Sequence, residues 1–181
     1  MPRFWAHGYG GTSMDDLVRV TGASRQAIYQ CYGDKRELYI GCLNLYRDSV
    51  VTPAFARVER AGASLTDIAA FFEIQIARAE AGGLPGPGCL FVNTMAEVAP
   101  HDPGVEALTA AHDLRLRRGF ANALAGSAGG GADGRLIDDL ATMMTASAHG
   151  LWSMSRAILD AAPLRRAAAC LIDLVQRRLP K

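Results

Sequence analysis

The chain has 181 residues, half of them hydrophobic and a fifth charged, with 19 basic against 18 acidic side chains for a net charge of +1. That apolar content supports a real core and excludes disordered and collagen-like chains; the near-neutral balance means that a nucleic-acid or membrane partner must be argued from a local patch. No apolar run approaches the roughly 18 residues of a spanning helix, and Met1 to Gly10 lacks an export-signal pattern, so the expectation is a cytoplasmic protein with no membrane partner.

Gly8 to Gly11 is the first breaker. Thr12 or Ser13 then caps a short helix, Met14 to Val20, with Asp15 and Asp16 in its first turn. Thr21-Gly22-Ala23 is a tight turn, and Ser24 caps a second short helix from Arg25 to about Gln30. Two short helices around a three-residue turn containing Gly form the helix-turn-helix pattern. The second helix presents Arg25, Gln26, Ala27 and Tyr29 near its N-terminal end. That end enters the major groove in such motifs, where Arg bonds guanine, Gln bonds adenine and an alanine methyl meets thymine.

The run Gly8-Tyr9-x-x-Thr12-Ser13-Met14-x-Asp16-Leu17, followed by Thr21-Gly22-Ala23-Ser24-x-x-x-Ile28-Tyr29-x-x-Tyr32-x-x-Lys35-x-x-Leu38, resembles the DNA-binding domain of TetR/AcrR-type bacterial repressors. The resemblance implies that Thr12, Ser24, Tyr29, Tyr32 and Lys35 hold phosphates and that Arg25, Gln26 and Ala27 touch base edges. Hydroxyls, a helix N-terminus and a lysine suit phosphate, while a few groove-facing side chains read sequence. The departure is at the start. Family members carry a full first helix, often basic, whereas here only Met1 to His7 precede the glycines, with Phe4 and Trp5 in last-turn positions. A truncated first helix leaves the motif partly unsupported: either the reading frame opens upstream or DNA binding is weakened. Residues 1–36 hold five basic and three acidic side chains, a formal +2, so a missing segment would supply further phosphate-binding charge.

Further helix starts follow in order. Asp34 with Glu37 is a capping-box pattern opening a stripe of Leu38, Cys42 and Leu45; Ser64 with Asp67 opens Leu65, Ile68, Phe72, Ile76 and Ala79. After the Gly82–Gly88 breaker, Cys89 opens a helix, and Asp102 before Pro103 opens Val105, Leu108, His112, Leu116 and Phe120. A third breaker spans Gly126 to Gly134. The segment Leu136 to Ile158 is apolar on more than one face, and a last helix after Pro163 carries Leu164, Ala168, Leu171, Val175 and Leu179. No period-two strand is present, so the fold class is all-α. The expected organisation is a helix-turn-helix domain over residues 1–45 and a helical ligand-binding and dimerisation domain over 46–181. The last two helices are expected to pair as a four-helix bundle across a two-fold axis, making a homodimer.

In the resembled family the C-terminal helices enclose a small-molecule pocket, which would need apolar walls and a few polar groups. Phe71, Phe72, Phe91, Met95, His112, Met143, Met144, His149 and Trp152 are its candidates, with Asn93 and Glu97 as further polar groups. A stripe of aromatic and methionine side chains is equally what a core looks like. Cys89, at a helix start, is a candidate redox sensor because a helix N-terminus lowers a thiol pKa; the alternative is a small buried residue. Cys31, Cys42, Cys89 and Cys170 lack the paired spacing of a zinc site and read as buried hydrophobes, and no metal is expected.

Enzyme motifs are missing. Ala125-Gly126-Ser127-Ala128-Gly129 superficially matches a nucleophile elbow but has no strand before it, and no phosphate loop, dinucleotide fingerprint or His-Glu-x-x-His helix implies a cofactor. The expectation is a repressor that binds double-stranded operator DNA and is released by a small apolar effector. The alternative is a dimeric small-molecule-binding or cysteine-sensing protein with impaired DNA binding.

Overall fold

The computed structural model describes residues 1–128 and 133–180; the centre of the Gly126–Gly134 breaker, Gly129 of the Ser127 motif included, lies outside them. The described residues form an all-α fold with no strand. The helices are α1 (Pro2–His7), α2 (Met14–Thr21), α3 (Arg25–Tyr32), α4 (Lys35–Tyr46), α5 (Thr52–Glu59), α6 (Leu65–Ala81), α7 (Leu90–Glu97), α8 (Pro103–Ser127), α9 (Gly134–Met154) and α10 (Ala162–Arg178).

The written caps are used. Ser13 caps α2 in a full capping box with Asp16, Ser24 accepts the Ala27 N–H at the start of α3, and Asp34 accepts that of Glu37 at the start of α4. Gly22 closes α2 in the left-handed conformation (φ 69°), making the turn into α3 without a Cβ penalty. Asp102 accepts the N–H groups of Gly104 and Val105, with Pro103 at the first position of α8.

Two apolar clusters hold the chain together. The larger centres on the antiparallel α8–α9 pair and is filled by α5, α6 and α10, with Phe55, Ile68, Phe120 and Met144 fully buried. The smaller joins Phe4, Leu17, Ile28, Tyr39 and Leu43 of the first four helices to Leu90 and Phe91 of α7. Each such side chain contributes about 1.5–3 kcal/mol of burial. The six-residue α1 is firmly seated: Phe4 is 1% exposed, edge-on to Tyr39 at 5.0 Å, and Trp5 is edge-on to Tyr46 at 5.0 Å. Helix-turn-helix support, expected to be partial, comes from this aromatic packing.

Three expectations are corrected. The inner face of α4 is Tyr39, Cys42, Leu43 and Tyr46, whereas Leu45 is 54% exposed. Helix α9 ends at Met154 rather than Ile158, because the next residues turn to meet the 82–88 loop, the Gly86 N–H donating to the Ser155 carbonyl and Arg156 to that of Pro87. Cys31 and Cys170 are exposed; only Cys42 and Cys89 are buried. Sequence reasoning also missed α5, which continues α4 through a π-helical turn, Arg47–Val51. Pro53 explains the widening, since it has no N–H and its ring displaces the carbonyl of Ser49.

Candidate nucleic-acid interface and cavity

The only residue of α3 that is buried is Ile28, which leaves the rest of this short helix as surface. Arg25, Tyr29 and Tyr32, spaced i, i+4 and i+7, form an exposed stripe with Gln26 and the cap Ser24 beside it and Ala27 half-buried. The two tyrosines are 41% and 48% exposed, which is unusual for core aromatics and normal for a contact face. Lys35, at the first position of α4, places its Nζ 4.2 Å from the centre of the Tyr9 ring, and burial pushes its pKa down. Arg25 is held by Asp15 of α2 at 2.5 Å. One phosphate candidate is misplaced: Thr12 is fully buried and donates its hydroxyl to the Gly8 carbonyl at 2.8 Å, so it ties α1 to α2 from inside.

A cavity of about 400 Å³ opens between α1, α5, α6, α8 and α9, under the Gly82–Gly88 loop. Its walls carry six aromatic rings, Trp5, Tyr46, Phe55, Phe71, His112 and Trp152, beside Val50, Val51, Leu116 and the backbone of the loop. Along α6, Phe71, Gln75, Arg78, Ala79 and Gly82 form a single facing stripe at i, i+4, i+7, i+8 and i+11. Gln75 Nε2 is buried and has no hydrogen-bond partner among the described residues.

Of the sequence candidates, Phe71, His112 and Trp152 line this cavity, and Cys89 does too. Phe72, Phe91, Met95, Met143, Met144 and His149 do not. Phe72 is sandwiched in the core against Phe120, their rings 14° from parallel, and Met144 is core as well. Phe91 backs the wall, its ring stacked on that of His112 at 4.3 Å. Met95 is half-buried on α7, and Met143 is 37% exposed on the outer face of α9. His149 sits 3.9 Å from Asp113. Asn93 bonds the Pro87 carbonyl, and Glu97 points to the first helices. Trp5, Tyr46, Gln75 and Arg78 were missed; for the last two, the α6 stripe was the available signal.

Burial holds His112 neutral, pushing its pKa down to about 3, with His149 and Arg115 adding to the shift. The Cys89 thiol moves opposite to the expectation. Its burial pushes the pKa up and outweighs the N–H groups of Val92 and Phe91 and the Tyr46 hydroxyl, so the thiolate needed for redox sensing is disfavoured.

Four contacts couple the first helices to the cavity side. Trp5 Nε1 donates to the Gly88 carbonyl at 2.9 Å, and the Tyr39 and Thr94 hydroxyls meet at 2.7 Å. The Glu97 carboxylate accepts from the N–H groups of Tyr9 and Gly10 at 3.0 and 2.7 Å, and Arg36 binds Asp102 bidentately. Among the described residues no group of His, Cys, Asp or Glu is arranged to hold a metal, and no helix is long and apolar enough to cross a membrane. The elbow-like Ser127 is the last residue of α8, its Oγ donating to the Ala123 carbonyl and accepting from the Leu65 N–H.

A capped helix-turn-helix packed on a helical body is the architecture of a helix-turn-helix DNA-binding regulator. The chain belongs to the tetR family of bacterial regulatory proteins: that family's pattern matches residues 3–42, and the pattern described as "Tetracyclin repressor-like, C-terminal domain" matches 64–171. It is 31% identical over 104 residues to the HTH-type transcriptional regulator YezE of Bacillus subtilis (strain 168), covering 55% of this chain and 51% of that one. It is 27% identical over 118 residues to the HTH-type transcriptional repressor ComR of Escherichia coli (strain K12), covering 65% and 56%. The chain thus spans about half the length of the curated relatives it matches. Its fold superposes with a TM-score of 0.78 and 18% identity on a cysteine mutant of the TetR family transcriptional regulator CifR complexed with 26bp double-strand operator DNA, covering 94% of this chain and 89% of that one. The family and these relatives are transcriptional regulators, not enzymes.

Proposed function

We propose that the protein is a transcriptional repressor that binds operator DNA through α3 and is released by a small, largely apolar ligand. The observation that carries this reading is Trp5. It belongs to the first helix of the reading head, yet its ring is part of the cavity wall and its indole N–H is bonded to the Gly88 carbonyl of the cavity loop. A ligand that moves Trp5 therefore acts on the reading head without an intermediary, and operator and ligand weaken each other reciprocally. Residues 1–45 form the DNA-binding unit and 46–181 the ligand-binding and dimerisation unit. Ser24, Tyr29, Tyr32 and Lys35 hold phosphates; Arg25, Gln26 and Ala27 read bases.

The protein acts in the cytoplasm as a homodimer through α9 and α10. Ala146, Gly150 and Ser153 form an exposed small-residue stripe on α9, flanked by Met143 and Met154, and Leu174 of α10 is 51% exposed. Such a surface lets two copies pack closely in a two-fold bundle that places two recognition helices in successive major grooves. ComR, a relative named as a repressor, and the CifR fold bound to operator DNA support the same reading.

The test is binding to the DNA upstream of the protein's own gene at two salt concentrations. Tight, salt-sensitive binding is expected, weakened on all sequences by Lys35→Ala and made less base-selective by Arg25→Ala. Affinity indistinguishable from that for random DNA would reject the repressor reading and favour a ligand-binding protein without an operator.

A further inference from the structure

We infer that the cavity selects a planar aromatic ligand carrying a carboxylate, the ring lying among Trp5, Phe71, His112 and Trp152 and the carboxylate meeting Gln75 and Arg78. This rests on the reading of the cavity as the effector site and adds the charge and shape of the effector.

Three observations carry it. Six aromatic rings line the cavity beside the aliphatic Val50, Val51 and Leu116, and offset or edge-on stacking on those rings favours a planar ring over a flexible chain. The volume of about 400 Å³ suits a small fused-ring compound. The polar groups are strongly one-sided. Gln75 Nε2 is a buried donor with no partner among the described residues, a costly state that a ligand oxygen relieves. Arg78 lies one turn further along the same face of α6, is exposed, and makes no ion pair with the described residues. The acidic residues of this part of α6, Glu73 and Glu80, are both engaged by Arg165 of α10 on another face. Among the described residues no Asp or Glu lines the cavity, and a second guanidinium, Arg156, borders the loop through its bond to the Pro87 carbonyl. A cationic ligand would find aromatic faces but no counter-charge. A carboxylate finds a buried amide donor and a guanidinium at hydrogen-bonding spacing along one helix.

The experiment compares one ring system in three charge states: naphthoate, naphthalenemethanol and naphthylmethylamine, each substituted at the same ring position. The chain's two tryptophans, Trp5 and Trp152, both line the cavity, so quenching of intrinsic fluorescence reports occupancy directly, with calorimetry as the second readout. Naphthoate is expected to bind about tenfold or more tightly than the alcohol, with the amine weakest. Arg78→Gln should bring acid and alcohol to within about twofold, while Gln75→Leu should weaken both about fivefold and raise the melting temperature of the unliganded protein by removing the orphaned donor. If alcohol or amine equals or exceeds the acid, or if Arg78→Gln leaves the acid preference intact, the charge inference is overturned and the effector-site reading stands. If none of the three binds at millimolar concentration, both are overturned.

Discussion

Arg36 of α4 grips Asp102, the N-cap of α8, through two parallel hydrogen bonds, Nε to Oδ2 at 2.5 Å and Nη2 to Oδ1 at 2.8 Å. One carboxylate thus satisfies the first turn of α8 and fastens that helix to α4, which follows the helix-turn-helix. The guanidinium, together with the Val105 and Gly104 N–H groups, holds the Asp102 carboxyl down at about 2. Because the folded-state pKa is depressed, the stabilisation is fully present above the unfolded value of about 4 and is lost as pH falls from there through about 2. Asp16, held at about 2 by Ser13 at the start of α2, behaves alike. We expect Asp102→Asn to be less stable than the parent at pH 7 and to lose less stability between pH 4 and pH 2. A parallel acid limb in urea titrations would show that the pair contributes nothing.

His112 titrates in a different window. Its folded-state pKa of about 3 lies below the ordinary 6.5, so the unfolded chain takes up the proton first and stability falls as pH drops below about 6.5. By pH 5 the loss relative to pH 8 is about 2 kcal/mol, consistent with a group only 7% exposed. His112→Phe keeps a flat ring against Phe91 and removes the titration. Its stability should fall less between pH 8 and pH 5 than the parent's, the remainder coming from His149, whose burial also pushes its pKa down; an unchanged slope would assign the loss to other groups.

Gly119 is where α8 lets α5 approach. A Cβ there would stand 2.4 Å from Cε1 and 2.8 Å from Cζ of Phe55, a ring with no exposed surface that is also wedged between Phe71 and Phe120. Alanine gains about 1 kcal/mol in helix propensity but overpacks a rigid ring, at about 1–3 kcal/mol and toward the upper end here. We expect Gly119→Ala to lower the urea midpoint at unchanged m, and Phe55→Leu to absorb part of that loss in the double variant.

These positions show where the sequence is legible. The helix-turn-helix can be read because Ser13, Gly22 and Ser24 act on backbone within a few residues of themselves. Its packing cannot: Thr12 and Ser13 are adjacent hydroxyls, and only the fold makes one a buried tie and the other a cap. The cavity is harder still. Trp5 and Gly88 are 83 residues apart in sequence, so no periodicity links them. Apolar stripes do find Phe72, Phe91 and Met144, but such stripes mark core and cavity alike. Leu45 misleads because an i, i+4, i+7 stripe from Leu38 runs one face away from the tyrosines that α4 actually buries.

Trp5→Phe separates binding from signalling. The ring still packs on Tyr46, but the bond to the Gly88 carbonyl is gone. A neutral hydrogen bond of about 1 kcal/mol corresponds to about fivefold. Operator affinity without ligand should change little, whereas the ratio of affinities with and without a saturating ligand should fall about fivefold. An unchanged ratio would move the coupling to the Glu97 and Arg36 contacts.

Asp15 sets the availability of Arg25. Its carboxylate is 84% exposed and lies 2.5 Å from a guanidinium that is itself 51% exposed, so the pair adds little to folding but holds the side chain proposed to read a base beside a negative charge. On the proposed docking, DNA approaching α3 displaces that carboxylate or is repelled by it. Asp15→Asn keeps the shape and the position in the first turn of α2, removes the charge and frees Arg25. We expect operator affinity to rise roughly threefold at low salt and the difference to vanish at high salt, as screening removes a charge effect. An affinity that falls at both salt concentrations would mean that Asp15 orients Arg25 for its base, in which case the loss should be confined to the operator and absent on random DNA.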